Sequence, residues 1–186
     1  MYLMRVNYER KMNQSIKRPI KGEIGMIQRI SDGISLIEKF LAAILMTALA
    51  IIVALSVGFR YFLNAPLSWS GEVAVFLLIW ISFIGGSLGL KNKSQAAVTL
   101  LLDYCPQRVK MWIAVFSQLF IIIFLVLILS YTYTWILSDG VAFQKSTAIL
   151  LPMWIPYSAV PIGLTFACIH VLAQLVQVIK TKGAEL

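Results

Sequence analysis

A catalytic or ion-carrying centre needs ionisable groups that can converge, and this sequence offers few. It contains one histidine, His170, and two cysteines, Cys105 and Cys168. A single histidine excludes bis-histidine haem ligation within the chain. Zinc needs three or four His, Cys or carboxylate ligands, and no spacing here supplies such a set. No Gly-rich phosphate loop is present, so neither nucleotide hydrolysis nor any other enzyme activity is expected, and no cofactor. His170 lies in a long apolar run, on one helical face with Ala167, Val171 and Gln174. It reads as a neutral imidazole bonded to a backbone or hydroxyl group of a neighbouring helix, with a proton or ligand role as the alternative. Glu72 and Lys110 sit at the ends of apolar runs, within reach of water. Gln118, Gln174 and Gln177 read as hydrogen-bonding groups between helices.

The elements that would position these groups are membrane helices. Of 186 residues, 60% are hydrophobic and 13% charged, against about 25% charged in a soluble domain. Phe40–Phe59, Val73–Leu90 and Met111–Ser138 carry no charge, and Val141–Ile179 carries only Lys145 and the titratable His170. A span needs about 20 apolar residues to cross a hydrocarbon core of roughly 30 Å. The expected fold is therefore an all-α integral membrane protein with four spans, at about 40–59, 72–90, 109–137 and 153–179. Pro156, Pro161 and Gly163 predict a bent or irregular start to the fourth. Residues 181–186 form a tail.

The net charge of +8 is distributed as a topology signal, not as a nucleic-acid footprint. Lys and Arg number eight before the first span, one in the first loop (Arg60), four in the second, one in the third (Lys145) and two in the tail. Fourteen of the sixteen thus fall on one side. The positive-inside rule puts that side, with both termini, in the cytoplasm. The N-terminus does not read as a cleavable signal, because about 39 residues precede the first apolar run. Residues 1–21 read as a flexible basic arm. Over 22–39, Ile24, Ile27, Ile30, Ile34 and Ile37 recur, with Leu41, at helical spacing, between charged residues. This predicts an amphipathic helix, either lying on the membrane surface against lipid headgroups or packed on a partner.

Between the first two spans lies the stretch Arg60–Glu72. Asn64 and Pro66 are turn formers there, and Trp69 reads as an interfacial anchor. Arg60 and Glu72 bracket the stretch and are expected to help fix the turn, with direct pairing as one route. In the second span Trp80 reads as a buried packing anchor. Gly85, Gly86 and Gly89 read as a face on which another helix backbone can approach closely.

Together these residues resemble a family. Arg60-Tyr61-Phe62, then Ala65-Pro66-Leu67-Ser68-Trp69-Ser70-Gly71-Glu72, a span with Trp80, Gly85-Gly86 and the basic Lys91 resemble the DctQ-like small membrane (Q) subunit of tripartite ATP-independent periplasmic (TRAP) transporters. Gln144, Leu151-Pro152, Ile155-Pro156-Tyr157 and Pro161-Ile162-Gly163 fit the same pattern. The sequence departs from it at Gly71, where the family's first glutamate stands, and at Lys91 and Gln95, where it has arginine and histidine. The resemblance implies a subunit of the bacterial inner membrane that braces a large multi-span transport subunit and helps dock a periplasmic substrate-binding protein. It implies sodium-driven uptake of an organic acid such as a C4-dicarboxylate or a sialic acid. The alternatives are a cofactor-free membrane anchor of a redox complex and a small homodimeric exporter. Beyond these protein partners, only membrane lipids are expected.

Overall fold

The computed structural model describes the backbone of residues 2–92 and 107–180, and the side chains of 25–92 and 112–179. The second loop with Gln95 and Cys105, the side chains of the basic arm and of Lys110, and the tail at 181–186 lie outside the described residues.

Among the described residues six helices follow in order: α1 Tyr2–Phe62, α2 Ser70–Lys91, α3 Gln107–Ile136, α4 Asp139–Ala142, α5 Trp154–Tyr157 and α6 Ala159–Lys180. Four stretches among the described residues are long and apolar enough to cross a membrane: Gly25–Phe62, Ser70–Lys91, Trp112–Ile136 and Trp154–Ile179. The chain is a multi-pass, all-helical membrane protein. Its extended exception, among the described residues, is a single antiparallel bridge between Lys145 and Pro152.

The fourth span begins irregularly. The helix breaks at Ser158 between α5 and α6. Pro161 sits in the first turn of α6, where its missing N–H costs nothing. Helix α6 is the central element. It packs on α2 and α3 and, more lightly, on α1, while α1 packs mainly on α2. The core is Leu125, Ala167, Cys168 and Val171, with Ile121, Leu129 and Leu164 packed around it. Where α2 meets α6 the approach is very close. A Cβ placed on Gly163 would lie 2.7 Å from Phe83 Cβ and 3.0 Å from the Phe83 carbonyl carbon and oxygen.

Helix α1 runs unbroken through the boundary between 22–39 and 40–59. At 1.5 Å per residue its 61 residues span about 90 Å. The face it turns to α2 and α6 is polar: Ser31, Ser35 and Glu38 are buried, whereas Ile30 and Ile37 are exposed. Water would favour the opposite arrangement. The groups this face meets account for it: Lys91 of α2 and His170 of α6 bond to Ser31, Ser35 and Glu38, so hydrogen bonds between helices do the packing here.

Candidate functional site

Two polar centres stand at opposite ends of the bundle. The first lies where α2 ends, and each of its groups is delivered by helical spacing. Ser31, Ser35 and Glu38 recur at i, i+4 and i+7, so they share one face of α1. His170 and Gln174, four apart, share one face of α6. His170 Nδ1 lies 2.7 Å from Ser31 Oγ, and its Nε2 lies 2.9 Å from Glu38 Oε2. His170 and Glu38 are 0% and 1% exposed.

One turn further toward the end of α2, the Lys91 ammonium donates to the Ser31 carbonyl (2.9 Å), Asp32 Oδ1 (2.8 Å) and Ser35 Oγ (2.6 Å). Gln174 Nε2 donates to the carbonyls of Leu90 and Lys91, at 2.7 and 2.9 Å. These are terminal carbonyls that a helix cannot satisfy internally. Gln118 of α3 in turn donates to Gln174 Oε1 at 2.9 Å. One continuous network therefore joins all four long helices. The imidazole binds a hydroxyl, as expected, and also a carboxylate, which was not. Glu38 Oε1, Ser87 Oγ and Gln118 Oε1 are buried without a hydrogen-bond partner among the described residues.

The second centre is the corner at the other end. Asn64 adopts a left-handed backbone, φ 48°, and the Ala65 N–H closes the turn on the Phe59 carbonyl at 3.1 Å. Ser70 is buried, with its hydroxyl 2.9 Å from Ser56 Oγ and 2.8 Å from the Leu67 carbonyl. Arg60 and Pro66 are exposed, and Trp69 precedes the first turn of α2, partly exposed. Arg60 and Glu72 do not pair. Glu72 instead reaches the segment between α4 and α5. Its Oε1 accepts from the Thr147 N–H (2.9 Å), and its Oε2 from the N–H groups of Ala148 (2.9 Å) and Ile149 (3.2 Å). That segment is a short hairpin, closed by Ser146 N–H to the Leu151 carbonyl and Met153 N–H to the Gln144 carbonyl, both 2.9 Å.

Beneath the hairpin an apolar groove of about 360 Å³ opens between helices, lined by Leu45 of α1, Phe76 and Trp80 of α2, and Ile149, Leu151 and Pro156. Trp80, expected as a buried packing anchor, is half-buried and lines this groove. The small-residue face of α2 is open. Gly85 and Gly86 are exposed, and a Cβ on either meets nothing within 4 Å; Gly89 is half-buried. By contrast, Gly163 is packed tightly inside the chain.

Sequence reasoning missed Ser31, Ser35 and Glu38, although their spacing was readable. It read Lys91 as a loop charge and as the basic residue of the family pattern, not as a bond to α1. The hairpin amides that hold Glu72 carry no residue-type signature.

Apolar spans, a buried polar network that ties them together and a structured corner define a small multi-pass membrane subunit. The chain belongs to the family described as "Tripartite ATP-independent periplasmic transporters, DctQ component", whose sequence profile matches residues 49–181. It is similar to the C4-dicarboxylate TRAP transporter small permease protein of Vibrio cholerae serotype O1, 27% identical over 191 residues, covering 87% of this chain and 82% of that protein. It is 24% identical over 160 residues to the sialic acid TRAP transporter small permease protein of the same organism, covering 85% and 88%. It is also 29% identical over 123 residues to the isethionate TRAP transporter permease protein of Oleidesulfovibrio alaskensis, covering 62% of this chain but 18% of that longer protein. In that relative the small-permease segment is continuous with a much larger permease. A TRAP small permease partners with a large permease subunit.

Proposed function

We propose that this chain braces the large permease of a TRAP transporter in the bacterial inner membrane, and that its corner end faces the periplasm and helps dock the substrate-binding protein. The transported solute is an organic acid, in line with the C4-dicarboxylate and sialic acid named for its relatives. Sodium drives the uptake. The loop charges support this sidedness: by sequence, Arg60 and Lys145 are the two basic residues of the first and third loops, and the other fourteen fall in the N-terminal segment, the second loop and the tail.

One observation carries the bracing role. The outward face of α2 runs Gly71, Val75, Leu78, Ser82, Gly85, with Gly86 beside it, all exposed and spaced alternately by four and three. That is the spacing of a helix-packing seam, and its small members let a second backbone approach where lipid offers no hydrophobic drive. The test is co-purification of the chain with its large permease. With Gly85→Leu and Gly86→Leu, recovery of the large permease should fall while the small chain remains in the membrane at its normal amount. Undiminished recovery would put the seam elsewhere, and degradation of the small chain alone would make the glycine face internal.

A further inference from the structure

The hairpin at 144–153 depends on a side chain that is far away in sequence. Its own closure is one antiparallel bridge, made by two backbone hydrogen bonds, and the 3.1 Å bond from the Leu151 N–H to Ser146 Oγ. A two-stranded hairpin of this size is marginal on its own. Glu72, 75 to 77 residues earlier, adds three amide bonds at the tip. Bonds to an ionised carboxylate are about twice as strong as neutral ones. They also fix direction, because amides on three successive residues must converge on one group. The Ile149 side chain then closes over the apolar groove. The next residue, Leu150, turns the other way. It adopts φ 56° and is 68% exposed. A left-handed backbone is unfavourable for a bulky side chain.

We infer that Glu72 is a positioning residue for partner recognition: it locks the hairpin so that Leu150 is presented to the periplasmic binding protein, with Lys145 exposed on the same hairpin. The inference rests on the docking role proposed above and names the element that performs it. Glu72 does not touch the partner. It acts through the tip amides, and Leu150 makes the contact. The partner surface that fits is a folded protein with an apolar recess for one leucine.

The experiment uses the complete permease, this chain with its large partner, in nanodiscs, titrated with the binding protein of the same transporter. Amide hydrogen exchange at 147–149 is followed in parallel. Glu72→Gln should speed exchange at Thr147, Ala148 and Ile149 and raise the Kd of the binding protein by about tenfold, the factor one charge-assisted hydrogen bond is worth. Recovery of the permease complex should be unchanged. Leu150→Ala should leave exchange as in the wild type and raise Kd by a similar factor. Faster exchange with an unchanged Kd in Glu72→Gln would overturn the inference, as would an unchanged Kd in Leu150→Ala. If Glu72→Gln does not assemble, the leucine variant decides alone. A wild-type complex that fails to bind the protein refutes the docking role itself, and that result is distinct from either variant outcome.

Discussion

Gly163→Ala adds one methyl group at the closest approach in the bundle. In an ordinary helix interior this change is favourable, since glycine is about 0.8–1.0 kcal/mol worse than alanine. Here the new Cβ would lie 2.7 Å from Phe83 Cβ and 3.0 Å from the Phe83 carbonyl carbon and oxygen. Two of those three atoms are backbone, so no rotamer change relieves the contact, and α2 and α6 must separate. Overpacking of this kind costs about 1–3 kcal/mol. Set against the helix-propensity gain, the net loss is about 0–2 kcal/mol, centred on ~1 kcal/mol. For a chain of this size a loss of ~1 kcal/mol is a fall in Tm of about 2–4 °C. The assay is thermal unfolding of the purified chain in detergent, with Gly85→Ala and Gly86→Ala as controls. A Cβ at either control position meets nothing within 4 Å. Both controls should be neutral or slightly stabilised. A Gly163→Ala chain as stable as the wild type would show that α2 and α6 do not pack this closely, and the assignment of inner and outer glycines would fail.

Other consequences concern the buried network. His170→Ala leaves Glu38 enclosed without its bonded partner and should cost about 3–5 kcal/mol. The double change Glu38→Leu with His170→Leu should recover most of that, and equal losses in both would show that the pair is not coupled. Lys91→Met removes three hydrogen bonds between α2 and α1 and should cost about 1.5–3 kcal/mol. Hydrogen exchange should then rise at residues 31–38 before it rises in α6, and uniform exchange along the bundle would refute that order.

The spans were legible because crossing a bilayer imposes a length that few other folds require. The break at Ser158 was legible from the prolines around it. The side of α1 that packs was not. The recurring isoleucines over 24–37 form the obvious stripe under the rules of water, and the structure turns Ser31, Ser35 and Glu38 inward instead. The corner was legible as a turn at Asn64 and Pro66. Its central bond was not, because Arg60 and Glu72 are the natural pair by charge, whereas the actual partners are backbone amides that every residue carries. Gly163 stood beside Pro161 and read as part of a bend, when its main property is that Phe83 leaves no room for a side chain.

These placements together argue against a path for ions or solutes through the chain itself. A transport route through lipid needs ionisable groups that face a cavity and exchange partners during the cycle. The deepest such groups here, Glu38 and His170, are bonded to each other and shut from solvent. Lys91 is held by three acceptors on α1, and Gln174 by the end of α2. The groove of about 360 Å³ is lined by hydrocarbon and by Trp80. Polar bonding thus holds four helices in one arrangement, while a row of small residues on α2 and a pinned hairpin at the corner stand exposed, as do the apolar faces of α1 and α3. The bracing role proposed above requires such a bonded interior, because a brace must hold its partner's position without rearranging. If Lys91→Met or the His170 variants loosened the bundle and transport by the assembled permease continued at full rate, rigidity would not be what this chain contributes.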